Sequence, residues 1–290
     1  MIESMRKRLK KRLIVTVLLI IGIAVLSFTI YSSMVYAPNN SGSDLKQTEQ
    51  NNNSSKENEQ KYPFIDLQPT VEQWESNQKG TASVVVYDVS NRRNAAELNT
   101  DTKYFAASIY KLYVTYFGYQ EVAKGTYSMD DKYFGEWTRG KCLDEMIRSS
   151  HSPCAEKMWT ELGKENLTNK LEEIGINNTS MTGLTTTAED AAKLLKLLLS
   201  REGITEEHAA LYQSSMKEQE SKYRRGLPSG FTKSTVYNKV GWNETIEWHD
   251  TSIVTLPDGR NYIICVFTKN VGYSNIATLG KSIESKLLGE

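Results

Sequence analysis

The sequence predicts an α+β domain: one antiparallel sheet built from both ends of the domain, flanked by helices, with a helical lobe inserted between its two halves. Three observations carry this. Thr81–Val89 (TASVVVYDV) is β-branched and apolar and is followed by the turn Ser90-Asn91-Arg92-Arg93-Asn94 and a return strand at Ala95–Asn99. Strand signals then vanish until Thr235–Gly241, His249–Leu256 and Tyr262–Thr268, the last two joined by the turn Pro257-Asp258-Gly259. Between these β-rich ends the signals are mostly helical.

Ahead of the domain the chain changes character twice. Met1–Arg12 carries six basic residues and one acid, a basic tail before Leu13–Tyr31, which has no charge in 19 residues. A run of that length just spans a bilayer, and the basic flank places the N-terminus in the cytoplasm. We therefore expect a cytoplasmic tail (1–12), a transmembrane anchor (13–33), a disordered linker (34–61) and an extracytoplasmic domain (62–290). A cleaved signal peptide ending near Val35-Tyr36-Ala37 is the alternative. The linker follows from Pro38–Gln60, rich in Asn, Ser, Gln, Glu and Lys, with Leu45 as its single apolar residue. Net charge is zero over 290 residues, but the basic tail leaves the remainder at −5, which argues against nucleic acid as a partner.

Within the domain, a short helix is expected at Val71–Gln78, then the first hairpin and an apolar helix opened by Phe105-Ala-Ala-Ser-Ile-Tyr-Lys. Further helices are expected at Lys141–Ser149, Pro153–Leu162, Glu165–Ile174 and Ala188–Ser200. Thr187 is placed to cap the last of these, with Asp190 three residues on. Tyr273–Leu288 closes the chain as a helix.

Ser108 and Lys111 are three apart on that apolar helix, so hydroxyl and amine share a face. A lysine whose pKa is lowered by burial or by a second cation can deprotonate such a serine. The Ser-x-x-Lys pattern occurs five times, starting at Ser4, Ser43, Ser76, Ser108 and Ser214, and only Ser108 opens a helix apolar enough to be buried. Two other segments suit a cleft. Ser149-Ser150-His151-Ser152-Pro153 breaks two helices, and Lys239-Val240-Gly241-Trp242 sets a lysine beside a glycine on a strand, where a ligand backbone can approach. His249 and Asp250 could suggest a Ser-His-Asp triad, but neighbours on a strand face opposite ways, which argues against it. His151 and His208 lack metal-ligand spacing, and no metal or cofactor is assigned. Cys142 and Cys154 flank the Ser150 turn: a disulfide stapling it is permitted outside the cell, and free buried thiols are the alternative.

Together these segments resemble the active-site-serine, penicillin-recognising family, and within it the class A β-lactamase-like serine hydrolases. The resemblance runs from about Thr81 to Leu288. It rests on three stretches in the family order: ASVVVYDV…NTDTKYFAASIYKLYV, DEMIRSSHSPCAEKMW, and RRGLPSG followed by YNKVGWNETIEWHDTSIVTLPDGRNYIICVFT. It implies the β-lactamase/transpeptidase-like fold. It also implies Ser108 as nucleophile, Lys111 as its base and Ser150 as the proton relay to the leaving nitrogen. Lys239 is implied as the anchor of the substrate carboxylate, with Ser152, Gly241 and Trp242 lining the substrate. The N–H groups of Ser108 and Trp242 would form the oxyanion hole.

The departures from the family pattern are as informative. Its Ser-Asp-Asn motif reads Ser150-His151-Ser152, and its Lys-Thr-Gly reads Lys239-Val240-Gly241. The loop that should carry the deacylating Glu is reduced to GINNTSMTGLTTT, which holds no acid. The expectation is a membrane-anchored extracytoplasmic serine hydrolase acylated on Ser108 by β-lactams or the D-Ala-D-Ala ends of peptidoglycan stem peptides, with slow β-lactam release. A catalytically degenerate module that binds cell-wall peptide or protein is the alternative.

Overall fold

The computed structural model describes residues 62–290 apart from 244 and 245. The expected basic tail, transmembrane anchor and linker lie outside the described residues. Among the described residues no helix is long and apolar enough to cross a membrane.

The described residues open with α1 (Gln68–Glu75), followed by β1 (Thr81–Asp88) and β2 (Arg93–Leu98). The α1 helix starts three residues before the expected Val71 because Pro69 sits in its first turn, where its fixed φ and missing N–H suit the helix. A two-residue strand β3 (Tyr104–Phe105) leads through a 3₁₀ turn (Ala107–Ile109) into α2 (Tyr110–Ala123). Ser108 thus lies on the 3₁₀ turn rather than inside the helix it introduces. The helical lobe continues with the small hairpin β4 (Lys132–Phe134) and β5 (Trp137–Thr138), then α3 (Arg139–Arg148), α4 (Ser152–Leu162) and α5 (Lys164–Glu173). After the short strand β6 (Thr185–Thr186) come α6 (Ala188–Ser200) and α7 (Glu206–Lys217). A 3₁₀ turn (Ser221–Tyr223) and the one-turn α8 (Leu227–Gly230) lead back to the sheet, made by β7 (Thr235–Trp242), β8 (Glu247–Thr255) and β9 (Asn261–Lys269). The closing helix is α9 (Tyr273–Leu288).

The main sheet has the order β2-β1-β9-β8-β7, every neighbour antiparallel. The two ends of the domain meet at β1 and β9, from Thr81↔Lys269 to Asp88↔Tyr262, as the predicted α+β architecture requires. Because β9 is central, it is apolar on both faces. Ile263, Cys265 and Phe267 join the core beneath the helical lobe, with Leu112, Phe117, Leu194 and Leu198. Tyr262, Ile264 and Val266 join the opposite core, with Val84, Val86, Ile276, Leu279 and Ile283. Helices on both faces therefore hold the sheet rigid, and the 3₁₀ turn carrying Ser108 packs against its edge strand β7.

Candidate active site

The turn bearing Ser108 is fixed from three sides. Upstream, Tyr104 and Phe105 pair with Thr186 and Thr185, and Ala106 N–H donates to Leu184 O at 2.7 Å. From below, His249 Nε2–H donates to Phe105 O at 3.0 Å, while Thr268 N–H donates to His249 Nδ1 at 3.3 Å. These two bonds select one neutral tautomer, and burial pushes the imidazole down to about 4. At the flank, a Cβ on Gly241 would stand 2.9 Å from Ile109 Cγ1, 3.0 Å from Ala106 O and 3.2 Å from Ile109 N. Only glycine lets β7 come this close to the turn. Ala107, just before Ser108, takes a φ of +43°, a left-handed conformation that costs a non-glycine residue energy and is held by these surroundings.

Three predicted motifs converge beside this turn. Lys111 is buried, and its Nζ donates to Ser150 O at 2.6 Å, Ser150 Oγ at 3.1 Å and Ser152 Oγ at 3.0 Å. Lys239 is fully buried on β7, and its Nζ donates to Ser150 Oγ at 3.1 Å and to Val240 O at 2.9 Å. Burial lowers the Lys111 ammonium to about 8, opposed by the field of Glu156. Lys239 is pushed well below the ordinary lysine range, first by burial and then by the Lys111 charge, with Asp250 opposing. Two cations sharing one hydroxyl favour loss of a proton from one of them. The neutral amine then has a lone pair for the Ser150 hydroxyl that both lysines touch.

Ser150 reaches both lysines because its own backbone is left-handed, with φ +57°. The turn is anchored on each side. Ser149 N–H and His151 N–H both donate to Glu145 O, at 3.2 and 3.0 Å. His151, standing where the family motif has Asp, caps α4 by accepting from Cys154 N–H at 3.2 Å, its ring packed on Trp137 and Phe134. Ser152, expected to face substrate, accepts from Lys111. Cys142 and Cys154 are bonded to each other, joining α3 to α4 across the turn with Cα atoms 5.4 Å apart; of the two states the sequence left open, the structure has the disulfide. Cys265 is a free buried thiol on β9.

His249 and Asp250 face opposite sides of β8. Asp250 accepts from Leu227 N–H at 2.8 Å and from Asn238 Nδ2 at 3.2 Å, and burial raises its carboxyl to about 7. His249 lies under Phe105, so the two do not form a relay with Ser108. Among the described residues no group of three or more His, Cys, Asp or Glu side chains is arranged to hold a metal ion.

The segment where the family carries its deacylating loop closes directly onto β3, the strand that leads into the Ser108 turn. Ser180 and Thr185 exchange backbone hydrogen bonds, and a buried chain runs from Tyr113 through Thr186 and Thr179 to Asp190. Of the acids bordering this segment in the sequence, Asp190 is consumed by Asn178 N–H and Thr179, and Glu189 pairs with Lys193. The carboxylate whose field reaches Lys111 is Glu156 instead. Sequence reasoning passed over it, although its position one turn beyond Ser152 on α4 was readable as an i,i+4 relation.

Solved structures with this fold are numerous. PBP-A is 20% identical with a TM-score of 0.69, the match covering 79% of this chain and 98% of that one. A class A β-lactamase representative from Bacteroides cellulosilyticus DSM 14838 is 19% identical with a TM-score of 0.69, covering 79% and 100%. The ancestral class A β-lactamase of Gram-negative bacteria is 17% identical with a TM-score of 0.68, covering 77% and 99%. No curated protein sequence matches the chain. The model of the beta-lactamase enzyme family matches residues 66–287, both sheet-forming ends and the whole helical lobe between them. On that match the chain belongs to the beta-lactamase enzyme family, a family of serine hydrolases.

Proposed function

We propose that this protein is a membrane-anchored, extracytoplasmic serine hydrolase that forms an acyl-enzyme on Ser108 with β-lactams or D-Ala-D-Ala-type peptides. The observation that carries this reading is the meeting of Lys111 and Lys239 on Ser150 Oγ beside the Ser108 turn. In the first half-reaction Ser108 Oγ bonds to the acyl carbon as its proton passes to neutral Lys111, and the carbonyl oxygen is received by the N–H groups of Ser108 and Trp242. The bond to the leaving nitrogen breaks as that nitrogen takes a proton through Ser150. Lys239 supplies the positive charge for the substrate carboxylate. A structure of a PBP-A mutant holding penicillin G as an acyl-enzyme has the same fold and supports the substrate class.

Water must then attack the ester. The segment 175–187 brings no acid to activate it, so release of a penicilloyl group is slow. The test is intact-mass analysis of the full chain after incubation with benzylpenicillin. One adduct is expected, long-lived and absent in Ser108→Ala. Rapid nitrocefin turnover would overturn the slow-release reading, and no adduct at all would overturn acylation itself in favour of a binding module.

A further inference from the structure

A cavity of about 420 Å³ lies apart from the lysine cluster, between the β1–β2 turn and the C-terminal end of α6. Lys239 stands on β7, at one edge of the sheet, whereas the cavity opens on β1, next to the other edge strand. Its walls are apolar. Tyr87 and Ile263 are register partners on β1 and β9, and the fully buried Ile263 closes the floor. Val89, Leu197 and Leu199, each half-buried, complete the apolar lining. Small-molecule sites have this kind of lining and a volume of roughly 300–1,000 Å³. The pairing of β1 with β2 shifts register between Val86 and Tyr87. An irregularity of that kind re-aims the side chain beside it, here the Tyr87 ring.

One charged group stands in this apolar wall without an ionic partner. Lys196 and Leu199 are three apart on α6 and share a face. The Lys196 amine lies 3.7 Å from the centre of the Tyr87 ring and makes no hydrogen bond or ion pair among the described residues. The acids whose fields reach it are engaged elsewhere: Glu189 pairs with Lys193, and Glu97 accepts from Asn94 Nδ2. Burial holds the Lys196 ammonium below its ordinary value. An anion placed at the amine would relieve that penalty. Arg92 and Glu202 also line the cavity, so two bases face one acid and the lining carries a net charge of +1. A single negative charge on an apolar body complements it.

We propose that this cavity binds a compact apolar monocarboxylate, with its hydrocarbon against Tyr87, Leu197 and Leu199 and its carboxylate on Lys196. The ligand is held without any covalent step. None of Ser108, Lys111, Ser150 and Lys239 lines the cavity, so the site stands independently of acylation on Ser108.

The test uses the full chain and three probes that share one apolar body: adamantanecarboxylate, adamantanecarboxamide and adamantanamine. Titration calorimetry should show saturable binding of the carboxylate, with the amide about fivefold weaker and the ammonium not bound. Lys196→Met keeps an unbranched apolar stem over Tyr87 and should bring the carboxylate down to the affinity of the amide. Leu199→Trp fills part of the cavity and should weaken both. Reductive methylation followed by peptide mapping places the ligand. The carboxylate should slow methylation of Lys196 and leave Lys193, already paired with Glu189, unchanged. Absence of saturable binding, equal affinity for the three probes, or binding that leaves Lys196 unprotected overturns the proposal. So does a carboxylate preference that survives in Lys196→Met. The probe comparison and the methylation need no variant, so they decide the matter even where a substitution fails to fold.

Discussion

Lys111 and Lys239 meet on one oxygen: the Nζ atoms of both lie 3.1 Å from Ser150 Oγ. One lysine comes from the start of α2 and the other from β7, and neither is near the surface. A hydroxyl between two buried amines can accept from a charged one and donate to a neutral one. On the proposed acylation mechanism, this is the oxygen through which the proton passes.

The first prediction concerns pH. Lys111 sits near 8, so the fraction of neutral amine, and with it the rate of Ser108 acylation, should climb as pH rises through about 8. The field of Glu156 raises Lys111, so Glu156→Gln should move the rise to lower pH. Stopped-flow acylation by a chromogenic cephalosporin across this range reads both, and a flat profile or a shift to higher pH would contradict the assignment of Lys111 as base.

Ser150→Ala removes the shared oxygen. Acylation should slow by about 10²-fold, with thermal stability little changed because the turn keeps its bonds to Glu145 O. A rate within a factor of about two of the parent would remove Ser150 from the mechanism.

Gly241→Ala puts a methyl where only 2.9–3.2 Å is free beside Ile109 and Ala106. Overpacking of this kind costs about 1–3 kcal/mol. Here it also pushes β7 away from the Ser108 turn. Chemical denaturation should show that loss together with slower acylation; unchanged behaviour in both would mean the approach of β7 to the turn is not tight.

His249 links stability to pH. Its ordinary value is 6.5 and the buried ring sits at about 4. The unfolded chain therefore binds a proton that the folded chain refuses. The stability this contributes is complete above about 6.5 and is lost as pH falls toward 4, a loss on the order of 3 kcal/mol. Asp250 works the other way: its carboxyl is raised from 3.8 to about 7, so its contribution is present at low pH and lost as pH rises toward 7. In His249→Phe the ring packing on Tyr104 and Phe267 is retained. Stability at neutral pH should drop by about 1–3 kcal/mol from the unpaired Phe105 carbonyl, and it should fall less steeply on acidification than in the parent. Melting temperatures in buffers spanning this window decide it, and parallel curves for the two proteins would rule out His249 as the titrating group.

The disulfide gives a final measurement. Closing a loop between residues 12 apart stabilises by about 3 kcal/mol in the chain-entropy picture. Reduction, or the Cys142→Ala/Cys154→Ala double variant, should lower the melting temperature by several degrees. An unchanged value would show that the turn holds itself.

Much of this was legible in the sequence for local reasons. The sheet strands are β-branched runs with turn residues between them, and Thr187 caps α6 as its spacing predicts, its hydroxyl accepting from Asp190 N–H. Ser108, Lys111, Ser150 and Lys239 were picked out by residue type and context. What stayed hidden depends on distant partners. The left-handed backbone of Ser150 is set by two amides converging on Glu145 O, and nothing in SSHSP announces it. The support of Phe105 by His249 joins residues 144 apart; strand alternation told that His249 and Asp250 face opposite ways, but not what His249 holds.

The pairing of β1 with β9 also bears on how the protein is made. Ser108 and Lys111 are synthesised well before Lys239, and β1 finds its central neighbour only when Lys269 has been added. Contacts this far apart form slowly. A chain emerging from the ribosome therefore carries Ser108 without the second lysine or the strand that presses on its turn. Reactivity toward an acyl donor should appear abruptly when the C-terminal hairpin docks, and C-terminal truncation short of β9 should leave a product that no substrate can label.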